Sequence, residues 1–271
     1  MAPSAAAADR AAAFFDLDKT LMAGSSGMPF ARVARRHGLV TRGQIARWGI
    51  DHLRYRLRGT TDDATQEVLE VAKETLADVP LRDVARMWPE VLAGILPRIY
   101  PQMLDEVYAH QDAGRATFIV SAAGNDGVQA LARVLGMEGG IGTSYETDAQ
   151  GTYTGRLAGP FVYGEGKVEA IQRFADEHGI ELSASYAYSD SVSDLPMLRA
   201  VGHPVAVNPD PALATVAKQE GWQVMRFEKL GRRLGIAGAT VLAAAVGWGG
   251  SQVASRRRAT SRSPVRALGR R

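Results

Sequence analysis

Two aspartates one residue apart, Asp16 and Asp18, close the apolar run Ala12-Ala13-Phe14-Phe15 and are followed by Lys19 and Thr20. Side chains of an extended segment alternate, so both carboxylates lie on one side of the backbone. Acids held that close repel unless a proton or a cation comes between them. A hard cation with oxygen ligands, Mg²⁺ above all, suits such a pair. On its own, the stretch reads equally as a strand end entering a polar turn.

Further polar groups follow at the ends of other apolar runs. Ser121 follows Phe118-Ile119-Val120, and Asp190, Ser193 and Asp194 follow Tyr186-Ala187-Tyr188. Lys167 stands near the start of an intervening helical stretch, after Gly164-Glu165-Gly166. Singly these residues have ordinary explanations: Ser121 in a turn, Lys167 as a solvated surface residue, Asp194 as the cap of the Leu195-Pro196 helix. Together they supply what phosphoryl transfer requires: a carboxylate nucleophile, a neighbouring acid/base, a metal site, and a cation and donors for phosphate oxygens.

These residues must be positioned by the intervening elements. Strands are expected at the opening run, at Ala116–Val120 with Ser121-Ala122-Ala123-Gly124 breaking the strand, and at 186–188, 204–207 and 223–227. Helices are expected at 102–113, 126–135, 167–178, 195–200 and 211–220, with a β-hairpin over 143–157 around Asp148-Ala149-Gln150-Gly151. Strands alternating with helices predict an α/β, Rossmann-like, mostly parallel sheet with helices on both faces, binding ligand beyond the strands' carboxyl ends. Residues 28–99 read as helical, divided by Gly38, Gly43, Gly59, Pro80, Pro89 and Pro97, with Asp63 to Ala77 near helical period. The expected organisation is a lead-in over 1–10, a core formed by 11–21 and 100–228, a helical cap inserted over 22–99, and a basic tail over 229–271.

The order and spacing resemble the motifs of the haloacid dehalogenase superfamily. Asp16-Leu17-Asp18-Lys19-Thr20 is similar to its first motif, Phe118-Ile119-Val120-Ser121 to the second, Lys167 to the third and Asp190-Ser191-Val192-Ser193-Asp194 to the fourth. The helical cap, the Gly151–Leu157 hairpin and Val205-Ala206-Val207-Asn208-Pro209 look like the phosphoserine-phosphatase-like branch (subfamily IB). The resemblance implies a Mg²⁺-dependent phosphatase acting on a small phosphorylated metabolite. Asp16 would be its nucleophile and Asp18 its acid/base. Ser121, Lys167 and Thr20 would serve the phosphate and first loop. Asp16, the Asp18 backbone carbonyl and Asp190 would hold the metal, with Asp194 and Ser193 in support. An acid at Asp18 distinguishes phosphatases from the superfamily's dehalogenases, whose halide leaving group needs no proton. Two departures bear on the substrate. Phosphoserine phosphatases carry a glutamate in the loop after the first motif, where Met22-Ala23-Gly24-Ser25-Ser26-Gly27 has no acid, and an asparagine where Ser193 stands. A phosphoserine-like substrate is therefore not supported by this loop. A phosphotransferase using the same intermediate and a non-catalytic phosphometabolite-binding regulator are the competing readings.

Charge is distributed unevenly. The net +3 arises in residues 229–271, which hold Lys229, nine arginines and no acid, whereas residues 1–228 have 22 basic against 29 acidic residues. A globally basic nucleic-acid binder is thus a poor fit. The absence of cysteine excludes disulfides and thiolate sites and fits a cytoplasmic protein. Within the tail, residues 234–250 are uncharged, Ala/Gly-rich and 17 long, at the short end of a bilayer span, with arginines on both sides. Three readings stand: attachment to an anionic membrane surface at its inner face, a packed soluble helix, or a disordered or nucleic-acid-binding tail.

Overall fold

The computed structural model describes residues 10–41 and 76–227, together with Gly43 and Lys73. The first strand, β1 (Ala12–Asp16), has every residue buried. Phe14 and Phe15 point to opposite faces, and each nucleates one layer of core. Phe14 stacks on Phe118 and joins Ile171, Met197, Leu198 and Leu213 on one side. Phe15 stacks on Tyr188 at a centroid separation of 4.5 Å and meets the edge of His110 on the other. A strand apolar on both faces is the signature of a central parallel strand.

After β1 come α1 (Gly27–Arg36), α2 (Leu81–Ile95), α3 (Pro101–Asp112), β2 (Ala116–Gly124), α4 (Asn125–Val134) and β3 (Gly139–Thr143). The hairpin β4 (Tyr145–Thr147) and β5 (Tyr153–Leu157) follows. Then come α5 (Glu165–His178), β6 (Tyr186–Ser189), α6 (Leu195–Arg199), β7 (His203–Val207), α7 (Pro211–Glu220) and β8 (Gln223–Met225). The sheet order is β3-β2-β1-β6-β7-β8, and all of its pairings are parallel. The chain builds outward from β1 to β2 and β3, then returns to add β6 on β1's other side. That reversal opens a crevice at the carboxyl ends of β1 and β6, where ligands of such sheets bind.

The expected α/β architecture holds, with three corrections. Ser121-Ala122-Ala123-Gly124 does not break its strand: β2 runs on to Gly124, with an irregular register between Ser121 and Gly124. The extension is possible because neighbouring β3 is Gly-Gly-Ile-Gly-Thr. A Cβ on Gly142 would lie 2.8 Å from the Ala123 carbonyl oxygen, so only glycine lets the two backbones approach. Strand β3 itself was not expected, since glycines mask any strand pattern. Pro89 does not divide its helical stretch either. It lies inside α2, whose buried stripe of Val84, Met87, Val91 and Ile95 carries the helix past the lost donor.

The expected helix from Asp63 to Ala77 falls outside the described residues, apart from Lys73, Leu76 and Ala77. So does the lead-in up to Asp9. The tail beyond Phe227, with its apolar segment 234–250, also lies outside. Among the described residues, no helix is long and apolar enough to cross a membrane.

Candidate active site

At the end of β1 the chain turns back on itself. Leu21 N–H donates to the Asp16 carbonyl (3.2 Å), Met22 N–H to Leu17 (3.1 Å) and Lys19 N–H to Gly24 (3.1 Å). Gly24 takes φ 80° and Lys19 φ 62° to close the loop. This tight fold buries Asp16 and Thr20, and leaves Asp18 partly exposed. Asp18 is held from below: its Oδ1 accepts from Ser26 N–H and its Oδ2 from the Ser25 hydroxyl, both at 2.9 Å.

Parallel pairing then brings the other residues alongside. Asp16 is in register with Val120, so Ser121 sits one residue further along β2, and Phe15 is in register with Tyr188, two before Asp190. Lys167, in the first turn of α5, is 3% exposed. Its Nζ donates to Asp16 Oδ1 at 2.6 Å and to Asp194 Oδ2 at 2.7 Å. Lys167 is therefore a buried cation between two carboxylates, which overturns the surface reading of a lone lysine. Asp194 stands at the N-cap of α6 yet makes no side-chain cap bond. Its carboxylate turns inward and also accepts from the Ser189 hydroxyl at 2.7 Å.

The electrostatics follow from burial. Burial pushes the Asp16 carboxyl up to about 7; Lys167 opposes the shift, while Asp194 and Asp190 add to it. Asp190 is pushed up to about 6, again first by burial, against the pull of Lys19, whose Nζ lies 3.5 Å from its Oδ2. Burial lowers the proton affinity of Lys167, but Asp16 and Asp194 outweigh it and hold the ammonium above the ordinary lysine range.

Six of the expected residues thus gather at the crevice: Asp16, Asp18, Ser121, Lys167, Asp190 and Asp194. Ser121 is buried, and its Oγ accepts from Ala123 N–H at 3.2 Å. Thr20 is buried beside them, its Oγ1 without a hydrogen-bond partner. Ser193 stays apart, its hydroxyl bonded to Ser191 Oγ at 3.0 Å. Sequence reasoning missed Ser25 and Ser26 as holders of Asp18, Ser189 as a support of Asp194, and Lys19 as the neighbour of Asp190. The only available signal was proximity in sequence to the motif acids, which does not say which way a side chain turns.

A divalent cation fits this donor set. Among the described residues no group of three or more acids and histidines is arranged to hold an ion by itself. Two buried carboxylates whose proton affinity is raised first by burial, Asp16 and Asp190, nevertheless form a hard-oxygen pair, and the Asp190 charge adds to the shift at Asp16. Mg²⁺ keeps several waters and asks for few protein ligands, so such a pair with a backbone carbonyl meets its preference.

Comparison with known proteins agrees with this geometry. The model of the haloacid dehalogenase-like hydrolases matches residues 13–199. The chain belongs to this family. The matched haloacid dehalogenase-like region includes every residue of the crevice. A probable phosphatase of Mycobacterium tuberculosis is 37% identical over 81% of this chain and 76% of its own length. A phosphoserine phosphatase of the same organism is 34% identical over 88% of the chain and 78% of its own. A histidinol-phosphatase of Neisseria meningitidis is 33% identical over 80% and 98%. The crystal structure of a Bordetella pertussis protein of unknown function superposes with a TM-score of 0.70, at 33% identity, over 80% of this chain and 98% of that one.

Proposed function

We propose that this haloacid dehalogenase-like hydrolase is a Mg²⁺-dependent phosphatase that hydrolyses a small phosphomonoester through an aspartyl-phosphate on Asp16. The observation that carries the proposal is the buried triad Asp16–Lys167–Asp194. It fixes one Asp16 oxygen at 2.6 Å from an ammonium at the sheet's switch point, which supports a role for Lys167 as the cation that would meet the phosphate. The phosphatase names of the relatives support the same class of reaction.

In the first step an Asp16 carboxylate oxygen attacks phosphorus, and the bond from phosphorus to the alcohol oxygen breaks. Asp18 gives its proton to the departing alkoxide. In the second step water attacks phosphorus, Asp18 takes the water's proton, and cleavage of the phosphorus–Asp16 bond releases inorganic phosphate. Ser25 and Ser26 hold the Asp18 carboxylate in place for both transfers. Lys167 and the Ser121 hydroxyl would bind the transferring phosphoryl oxygens, with Lys167 kept charged by Asp16 and Asp194. Asp16, Asp190 and the Asp18 carbonyl would hold Mg²⁺, which when bound supplies positive charge that lowers the Asp16 proton affinity and shields the phosphate.

The alcohol is less constrained. The phosphoserine phosphatase and the histidinol-phosphatase are about equally similar to this chain and name different alcohols. The loop Met22–Gly27 offers no carboxylate for a substrate ammonium. A panel including phosphoserine, histidinol phosphate and an aryl phosphate, assayed by phosphate release with Mg²⁺ and with chelator, tests the reading. Turnover is expected with Mg²⁺ and absent in Asp16→Asn despite an intact fold. Wild-type activity in that variant would sink the mechanism.

A further inference from the structure

One strained residue is left unexplained by the catalytic scheme. Lys19 lies in the left-handed region, at φ 62°. Glycine adopts that conformation freely, whereas a lysine does so at a cost that the surrounding structure must offset. Its side chain is partly exposed, yet its charged end turns back to the site. The Nζ reaches Asp190 Oδ2 at 3.5 Å, and the lysine side chain is 43% exposed against 9% for the aspartate. Lys167 is already committed to Asp16 and Asp194. Lys19 is therefore the only cation in direct contact with Asp190 among the described residues, with Lys167 acting on it more weakly from a distance, and the Asp190 backbone carbonyl is pinned by Asp210 N–H at 2.8 Å. The loop that sets the Lys19 conformation also closes over Asp16, through Lys19 N–H to Gly24 and Leu21 N–H to Asp16.

We propose that Lys19 is a built-in counter-ion that holds Asp190 before the metal arrives, is displaced when Mg²⁺ takes that carboxylate, and thereby lowers the Mg²⁺ affinity of the site. The inference rests on the metal reading given above and goes beyond it by naming the residue that opposes binding. Two effects act in the same direction. Mg²⁺ must break the contact between Lys19 and Asp190, and the displaced ammonium, tethered to the same loop, still repels the dication. At a partly solvated distance of a few ångströms this is worth on the order of one tenfold step in affinity.

The test is calorimetric titration of MgCl₂ into the full chain at fixed ionic strength. The wild type is compared with Lys19→Met, Lys19→Gly and Lys19→Arg. Lys19→Met and Lys19→Gly are expected to bind Mg²⁺ about tenfold more tightly, and Lys19→Arg to stay within about twofold of the wild type. Unchanged or weaker binding in the Met and Gly variants, beside a wild type that binds, overturns the counter-ion role and leaves the metal site standing. Tighter binding in Lys19→Gly alone also overturns it, because only the glycine relieves the backbone. A wild-type chain that takes up no Mg²⁺ overturns both this inference and the metal dependence.

Discussion

Replacing Lys167 with methionine tests the electrostatic design of the site. Methionine has nearly the volume of the lysine stem, so packing changes little while the ammonium is lost. Lys167 is 3% exposed and bonds two carboxylates at 2.6 and 2.7 Å. Removing one partner from a buried ionic cluster strands the others, and such losses run to about 3–5 kcal/mol. The loss depends on pH in a defined direction. The ammonium helps only while the acids are ionised, and Asp16, raised to about 7, takes up its proton below that pH. Near pH 5 the variant therefore loses less, by up to about 1.4 kcal/mol, because about one pH unit separates pH 8 from the Asp16 value and each unit is worth about 1.4 kcal/mol. The measurement is urea unfolding of both proteins at pH 8 and pH 5, with chelator present. A destabilisation at pH 8 below about 1 kcal/mol, or one that does not change with pH, would refute the reasoning.

Two other predictions concern neighbouring features. Gly166 precedes Lys167, and a Cβ there would stand 1.9 Å from the Phe161 carbonyl oxygen. Gly166→Ala should push α5 off that backbone, lower the melting temperature by roughly 4–10 °C and depress kcat by moving Lys167; an unchanged thermal melt would contradict it. His110 is buried, accepts from Arg115 Nε at 2.7 Å and lies 2.8 Å from the Tyr188 hydroxyl. Burial, with help from the Arg115 charge, lowers its pKa from 6.5 to about 4. Its contribution is thus complete above pH 6.5 and lost as the pH falls towards 4. His110→Gln should flatten the stability profile across that window by about 2–3 kcal/mol, as read from denaturation midpoints.

The legible part of this protein was the part governed by strand alternation and by motif spacing. Phe14 and Phe15 announced a strand buried on both faces. The acids after it, with Asp190, followed from where strands end in a parallel sheet, whereas Ser121, read as a strand end, lies inside β2. Lys167 and Asp194 were legible as positions but not as partners. Nothing local distinguishes a buried lysine at the start of a helix from a solvated one, or an inward-turned aspartate from a cap. Both were decided by tertiary contacts between residues 27 and 151 positions apart. Strand β3 was hidden for the opposite reason, since its glycines are there for α4 and β2 to approach rather than to form a strand pattern. Pro89 shows a buried helical stripe overriding a local breaker. The departure of the Met22–Gly27 loop from phosphoserine phosphatases was visible from the start and still limits the substrate.

The central claim is that Asp16 carries the phosphoryl group. The direct measurement uses Asp18→Asn, which retains the nucleophile but loses the acid/base for hydrolysis. The variant is incubated with Mg²⁺ and a substrate whose leaving group needs no proton, such as an aryl phosphate, quenched in acid and mapped by peptide mass spectrometry. One added phosphoryl group is expected on the peptide containing Asp16, and none when Asp16 is also changed to Asn. Wild-type turnover with no phosphorylated peptide, or with the label on another residue, would contradict the account.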